Sequence, residues 1–265
     1  MYVVDAHCHV SLSWYNPVES LLFEMDQNQV QRALLIQMGG QYDNTYQTEC
    51  VARYPDRLAS VVMVDASRPD APDTLASLAE QGAVGVRLSA DTRSPGDDPY
   101  AVWRKADELG LVVSCSGSVD SFASDSFASL LEALPSLPVV IEHLGGVSDR
   151  NSPEAKYTKA EEVFGLARFA NTALKIPGLG EFAVRHMPVT EFPFAIPIPP
   201  FLQMAYEAFG PARMMWGSDY PPVSFREGYR NALQLTRAQF GNLSVDEVEQ
   251  IFGGTALAHF PSLKK

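Results

Sequence analysis

The chain has 265 residues, 46% of them hydrophobic and 20% charged, with a net charge of −12, which is enough apolar material for one large core. The acidic balance argues against nucleic acid or an anionic membrane surface as a partner, because both select basic patches, but it leaves room for a local basic pocket. The three cysteines, Cys8, Cys50 and Cys115, are a sparse and odd set that makes no disulfide framework; with an N-terminus that runs straight into a strand, a reduced, cytoplasmic protein without a membrane span is expected.

The first predicted strand lies in VVDAHCHV, Val3 to Val10. Alternate strand residues share a face, so Asp5, His7 and His9 are expected on one side and Ala6 and Cys8 on the other. A carboxylate with two imidazoles is poor material for a dry core and good material for a metal site. The loop SLSWYN follows and makes Trp14 a candidate pocket wall. Asn16-Pro17-Val18-Glu19 then reads as a helix start, with a cap, a proline at the first position and an acidic residue ahead of Leu21, Leu22 and Met25.

Further strands are read at RALLIQM, LASVVMVDA, GAVGVRLSA, GLVVSCSG, PVVIEHLG, TALKIPG and ARMMWGSDY. Several are continuous apolar runs, as expected for parallel strands covered by helices. Helical segments lie between them: PDTLASLAEQG stops at Gly82, and PYAVWRKADELG stops at Gly110. Residues 187–200 form a proline-rich loop after the seventh strand. NLSVDEVEQIFGGTALAHF opens with a capping box from Ser244 to Glu247 and predicts a helix beyond the eighth strand.

Eight β-then-α units in 265 residues give about 33 residues each (265/8), close to one βα unit with its loops. A single domain over 1–265 follows, a (β/α)8 TIM barrel with an extra C-terminal helix. A doubly wound open sheet would need a glycine-rich phosphate turn after an early strand, and none is present.

Barrel enzymes collect their chemistry at the C-terminal ends of the strands. There the sequence places His7 and His9 (strand one), Arg87 and Ser89 (four), His143 (six), Lys175 (seven) and Asp219 (eight). Alternation sets Met215, Gly217 and Asp219 on one face, with Gly217 leaving space beneath the carboxylate. Glu142, beside His143, is expected on the opposite face in a supporting role. Cys115, Trp103, Trp216 and His259 are read as packing residues, and His186 as a solvated loop histidine.

D-x-H-x-H at the first strand, G-V-R-L at the fourth, E-H-L-G-G at the sixth, L-K-x-P-G-L at the seventh and W-G-S-D-Y-P at the eighth together resemble the amidohydrolase superfamily. Within it the chain is similar to the branch of small lactonases and decarboxylases, over nearly its whole length. The resemblance implies that His7 and His9 hold a divalent metal, zinc or manganese, with Asp219 as a further ligand or as the base facing water. It implies that His143 binds metal or polarises a substrate carbonyl, and that Arg87 and Lys175 clamp a carboxylate or oxyanion.

One departure stands out. The histidine that such enzymes place at the end of strand five is replaced by Ser114, Cys115 and Ser116, which leaves metal-free catalysis open. The expected activity is hydrolysis of a small-molecule, anionic lactone or related ester or amide. A non-oxidative decarboxylase on the same site and a catalytically inactive binding barrel are the alternatives. A homodimer is in keeping with an enzyme of this shape.

Overall fold

The computed structural model describes residues 1–147 and 153–264. All eight predicted strands form: β1 (Val4–Cys8), β2 (Arg32–Ile36), β3 (Leu58–Val62), β4 (Gly85–Ser89), β5 (Val112–Ser116), β6 (Val139–Ile141), β7 (Thr172–Ile176) and β8 (Met214–Trp216). They pair in parallel and in sequence order. Beyond the end of β8 the chain returns to β1. Asp219 N–H donates to the His7 carbonyl at 2.8 Å and His9 N–H to the Tyr220 carbonyl at 2.7 Å. The ring therefore closes through the segments that carry His7, His9 and Asp219.

Helices α1 (Val18–Gln27), α2 (Thr45–Arg53), α3 (Ala71–Glu80), α4 (Ala101–Glu108), α5 (Val119–Phe122), α6 (Asp125–Ala133), α7 (Pro153–Phe164), α8 (Phe201–Phe209) and α9 (Tyr229–Ala238) cover the outside. The chain is thus a (β/α)8 TIM barrel with C-terminal helical turns. Asn16 does not cap α1 with its side chain; its amide donates instead to the Tyr220 hydroxyl at 2.9 Å.

Two buried layers follow from strand alternation. Outward residues such as Leu35, Val86, Val113, Ile141, Leu174 and Trp216 pack beneath the helices. Trp103, Trp216 and Cys115 lie in this layer, as expected of packing residues. Inward residues, among them Val4, Ala6, Leu34, Ile36, Ala59, Val61, Val112, Val140, Ala173 and Met215, fill the barrel. The chain's end supplies the rest of this inner cluster with Ala256, Phe260 and Leu263. The capping box of Ser244 and Glu247 is present at α10 (Val245–Glu249). The predicted terminal helix is not continuous: a π-turn over Gln250–Gly254 separates α10 from α11 (Thr255–His259). Gly253 there lies against the Tyr2 carbonyl, with no room for a side chain.

The expectation that Asp5 shares a face with His7 and His9 does not hold. The β1–β2 register shifts between Asp5 and Cys8, and such a bulge reverses which residues face inward. Val4 and Ala6 face the interior before the shift, while Cys8 packs in the outer layer after it. Asp5 is turned away and accepts hydrogen bonds from Ser218 N–H (2.9 Å), Ser218 Oγ (2.6 Å) and the Tyr229 hydroxyl (2.8 Å).

Candidate active site

At the C-terminal mouth, His7 and His9 reach in from β1. His9 Nδ1 bonds the Ile36 carbonyl at 2.7 Å, which as Nδ1–H···O leaves Nε2 free and aimed inward. That Nε2 lies 3.4 Å from Asp219 Oδ1, and His7 Nε2 lies 3.9 Å from the same oxygen. The Tyr15 ring stacks on His9 at 5.4 Å between centroids. Its neighbour Trp14 is 72% exposed, so Tyr15 rather than Trp14 walls this histidine.

Asp219 is delivered by a left-handed residue (φ 56°) just past β8. Gly217 lies beneath it as expected, and the space it leaves is taken by His7: a Cβ there would meet the His7 Cβ at 2.5 Å. Burial works against the charged form of Asp219. The His9, His143 and Arg226 side chains outweigh it and hold the carboxyl well below the usual carboxylate range.

The structure corrects the reading of Glu142. Strand alternation carries from the interior residue Val140 to Glu142, so Glu142 points into the barrel. His143 nonetheless reaches the mouth because His143, Leu144 and Gly145 all adopt positive φ (51°, 53° and 64°) and turn the chain. Glu142 is 1% exposed. It receives Arg87 Nη2 (2.8 Å) and Nε (3.2 Å) on one oxygen and Ser114 Oγ (2.5 Å) on the other. Burial alone would raise its pKa, but Arg87, Lys175 and His143 bring it down to about 2.

Arg87 and Lys175 consequently sit below the mouth rather than open to it. Arg87 also donates to the Gln37 carbonyl at 3.0 Å. Lys175, 2% exposed, donates to Ser114 Oγ at 2.6 Å and lies 3.2 Å from His7 Nδ1. Burial lowers Lys175 to about 8 against the opposing pull of Glu142. Ser114 thus joins the site from β5, where the missing histidine would stand.

Burial and then the Lys175 and His143 charges hold His7 well below its ordinary 6.5, so its ring is neutral. His143 goes the other way. Burial lowers it, but Glu181, which accepts from Nδ1 at 3.0 and 3.1 Å, together with Asp219 and Glu142, raises it to about 9. Glu181 lies just past β7, in the turn Leu179–Glu181; its signal in the sequence was an acid directly after the glycine pair that follows the strand. Arg226, whose Nη1 donates to Asp219 Oδ2 at 2.7 Å, stands on a loop with no motif around it. Of the other candidates, His186 is exposed, and His259 lies on α11, away from the mouth.

Among the described residues His7 Nε2 is buried without a hydrogen-bond partner, an arrangement that is costly unless something occupies the position it faces. Its nitrogen, His9 Nε2 and an Asp219 oxygen lie within 4.8 Å of one another. Two imidazoles and one carboxylate suit a divalent ion of the zinc or manganese type, with positions left open for water and substrate. With its ring proton on Nδ1, His7 turns the Nε2 lone pair toward Asp219 Oδ1, so the donor set fits.

A family model described as amidohydrolase matches residues 4–261. No curated protein matches the chain. Among solved structures, the chain is similar to a Pseudomonas putida protein provisionally described as a 2-pyrone-4,6-dicarboxylic acid hydrolase, at 21% identity over 98% of both chains and a TM-score of 0.75. It is also similar to an amidohydrolase from Burkholderia multivorans with bound zinc (18% identity, 98% of this chain and 99% of that one, TM-score 0.77). A third is 5-carboxyvanillate decarboxylase from Sphingomonas paucimobilis (16%, 98% and 99%, TM-score 0.66). At these identities the likeness establishes the fold.

Proposed function

The chain belongs to the amidohydrolase family, and from that premise we propose that it hydrolyses a small-molecule lactone or a related ester or amide, with Asp219 taking the proton of the attacking water. The observation that carries this reading is the asymmetry of Asp219. Oδ2 is occupied by Arg226, whereas Oδ1 faces the Nε2 atoms of His7 and His9, where a water would give up its proton.

A carboxylate held so far below its usual range is a weak base and needs an acidified water. Acidifying that water is the chemistry that a zinc or manganese ion held by His7, His9 and Asp219 supplies when bound. His143, raised to about 9 through Glu181, has a proton to give. Its role is to hydrogen-bond the substrate carbonyl oxygen as negative charge develops and to return a proton to the leaving oxygen. Arg87 and Lys175, paired with Glu142, act through space and keep the floor of the site positive toward an anionic substrate.

A lactone fits the similarity to the protein described as a 2-pyrone-4,6-dicarboxylic acid hydrolase, whose pyrone ring is itself a cyclic ester. The test is a panel of five- and six-membered lactones and carboxylated pyrones assayed with added zinc or manganese. Acid release and headspace carbon dioxide are recorded together. Acid without carbon dioxide, absent in Asp219→Asn, is expected. Carbon dioxide from a carboxylated substrate with no ring opening would place the chain with the decarboxylases that share its fold.

A further inference from the structure

Arg226 follows the turn Pro222–Phe225 and its side chain is 19% exposed. Its guanidinium meets three carboxylates. Nη1 donates to Asp219 Oδ2 at 2.7 Å, Nη2 lies 3.3 Å from Glu181 Oε1, and Nε lies 3.7 Å from Glu227 Oε2. Glu181 in turn holds His143 through Nδ1. An alternating row of charge therefore runs His143, Glu181, Arg226, Asp219, joining the loop after β7 to the loop after β8.

Of the three contacts only the one to Asp219 is a hydrogen bond; Arg226 Nε and Nη2 and Glu227 Oε2 are buried without one among the described residues, and meet as charges. Glu227 accepts Gly180 N–H at 3.0 Å. Its oxygens occupy the positions that a Cβ on Gly178 or Gly180 would need, so both residues must be glycine for Glu227 to sit behind Arg226. The backbone carbonyl of Arg226 accepts from Arg185 Nη1 at 2.8 Å, which ties its own segment to the β7 loop.

We propose that Arg226 is a positioning residue that decides which oxygen of Asp219 does the chemistry. By holding Oδ2 it keeps the carboxylate from rotating and presents Oδ1 to His7, His9 and the attacking water. Through Glu181 the same guanidinium fixes His143 relative to that carboxylate, so acid and base keep one geometry. A planar fork can meet acids in two directions at once, and the point charge of a lysine cannot. The proposal rests on Asp219 being the reactive carboxylate.

The test compares Arg226→Met, Arg226→Lys and Arg226→Gly in two independent ways. With a substrate in hand, Arg226→Met is expected to lower kcat on the order of 10²-fold, the cost of a misplaced reacting group, with KM unchanged. Arg226→Lys should recover only a small part of this, and added guanidinium should restore Arg226→Gly, a response that a purely structural pair would not give. Wild-type kcat in Arg226→Met, a loss confined to KM, or folded Arg226→Gly that ignores guanidinium overturns the proposal.

The second arm needs no activity. Crystal structures of the wild type and Arg226→Met are expected to show one Asp219 orientation in the first and a rotated or divided carboxylate in the second. An unmoved Asp219 in Arg226→Met overturns the proposal even where no substrate is known, whereas a barren lactone panel overturns only the hydrolase reading. Where Arg226→Met does not fold, Arg226→Lys takes its place in the crystal, with Asp219 again expected to turn.

Discussion

Removing the Glu142 carboxylate would leave Arg87 and Lys175 facing each other in the barrel without a counter-ion. A buried charge stripped of its partner costs about 3–5 kcal/mol, so Glu142→Gln should lower unfolding stability by that order in urea titration, and a loss below 1 kcal/mol would contradict the network. Glu142 is depressed to about 2 from its ordinary 4.5. Its contribution is therefore complete above about 4.5 and is lost as pH falls through about 2. His143 has the opposite sign: raised from 6.5 to about 9, it stabilises fully below 6.5 and stops doing so as pH rises through 9. Lys175, lowered to about 8, works against it at high pH, because its unfavourable burial as a cation fades there. The His143 charge is better read directly. NMR titration should place its midpoint near 9 in the wild type and lower in Glu181→Gln; an unmoved midpoint would remove Glu181 as the cause. At this scale His7, His9, His143 and Asp219 were legible, since each is an unusual residue at a strand end. Glu181 and Arg226 were not, because their meaning lies in partners on another loop.

Short elements aim these side chains, and irregular backbone does most of the aiming. The bulge in β1 separates Asp5 from His7, and successive positive φ angles after β6 bring Glu142 and His143 to the same site. Strict period-two reasoning put Asp5 in the site and Glu142 out of it, and it failed at both places for this reason. The eight strands themselves were readable, because buried parallel strands are continuous apolar runs bounded by glycine and polar turns. Gly217 is where element geometry can be tested. A methyl group there must displace the His7 Cβ that lies 2.5 Å away. Overpacking of this kind costs about 1–3 kcal/mol, so Gly217→Ala should be less stable by calorimetry and should lose the activity carried by His7. A fully active, fully stable Gly217→Ala would mean that the strand ends are looser than described.

Seen whole, the molecule is a ring whose upper half is chemistry and whose lower half is packing. The inner cluster holds apolar residues from the strands together with Phe260 and Leu263 from the last turns, so the chain's end completes the core that its first strand begins. Phe260 is 1% exposed. Truncating a buried phenylalanine to alanine typically costs about 3–5 kcal/mol, and Phe260→Ala should show that loss in urea although it lies far from the mouth. The sequence announced a terminal helix but not that its end enters the barrel interior, since amphipathic spacing does not say which surface receives the apolar face. The barrel matters to function because its closure between β8 and β1 sets Asp219 beside His7 and His9. Plasma mass spectrometry of tag-free protein purified without chelators tests that arrangement most directly. About one zinc or manganese ion per chain is expected in the wild type, as a single three-donor site would hold, and its loss in His7→Ala. Equal metal in both proteins, or none in either even after zinc or manganese is added, would contradict it.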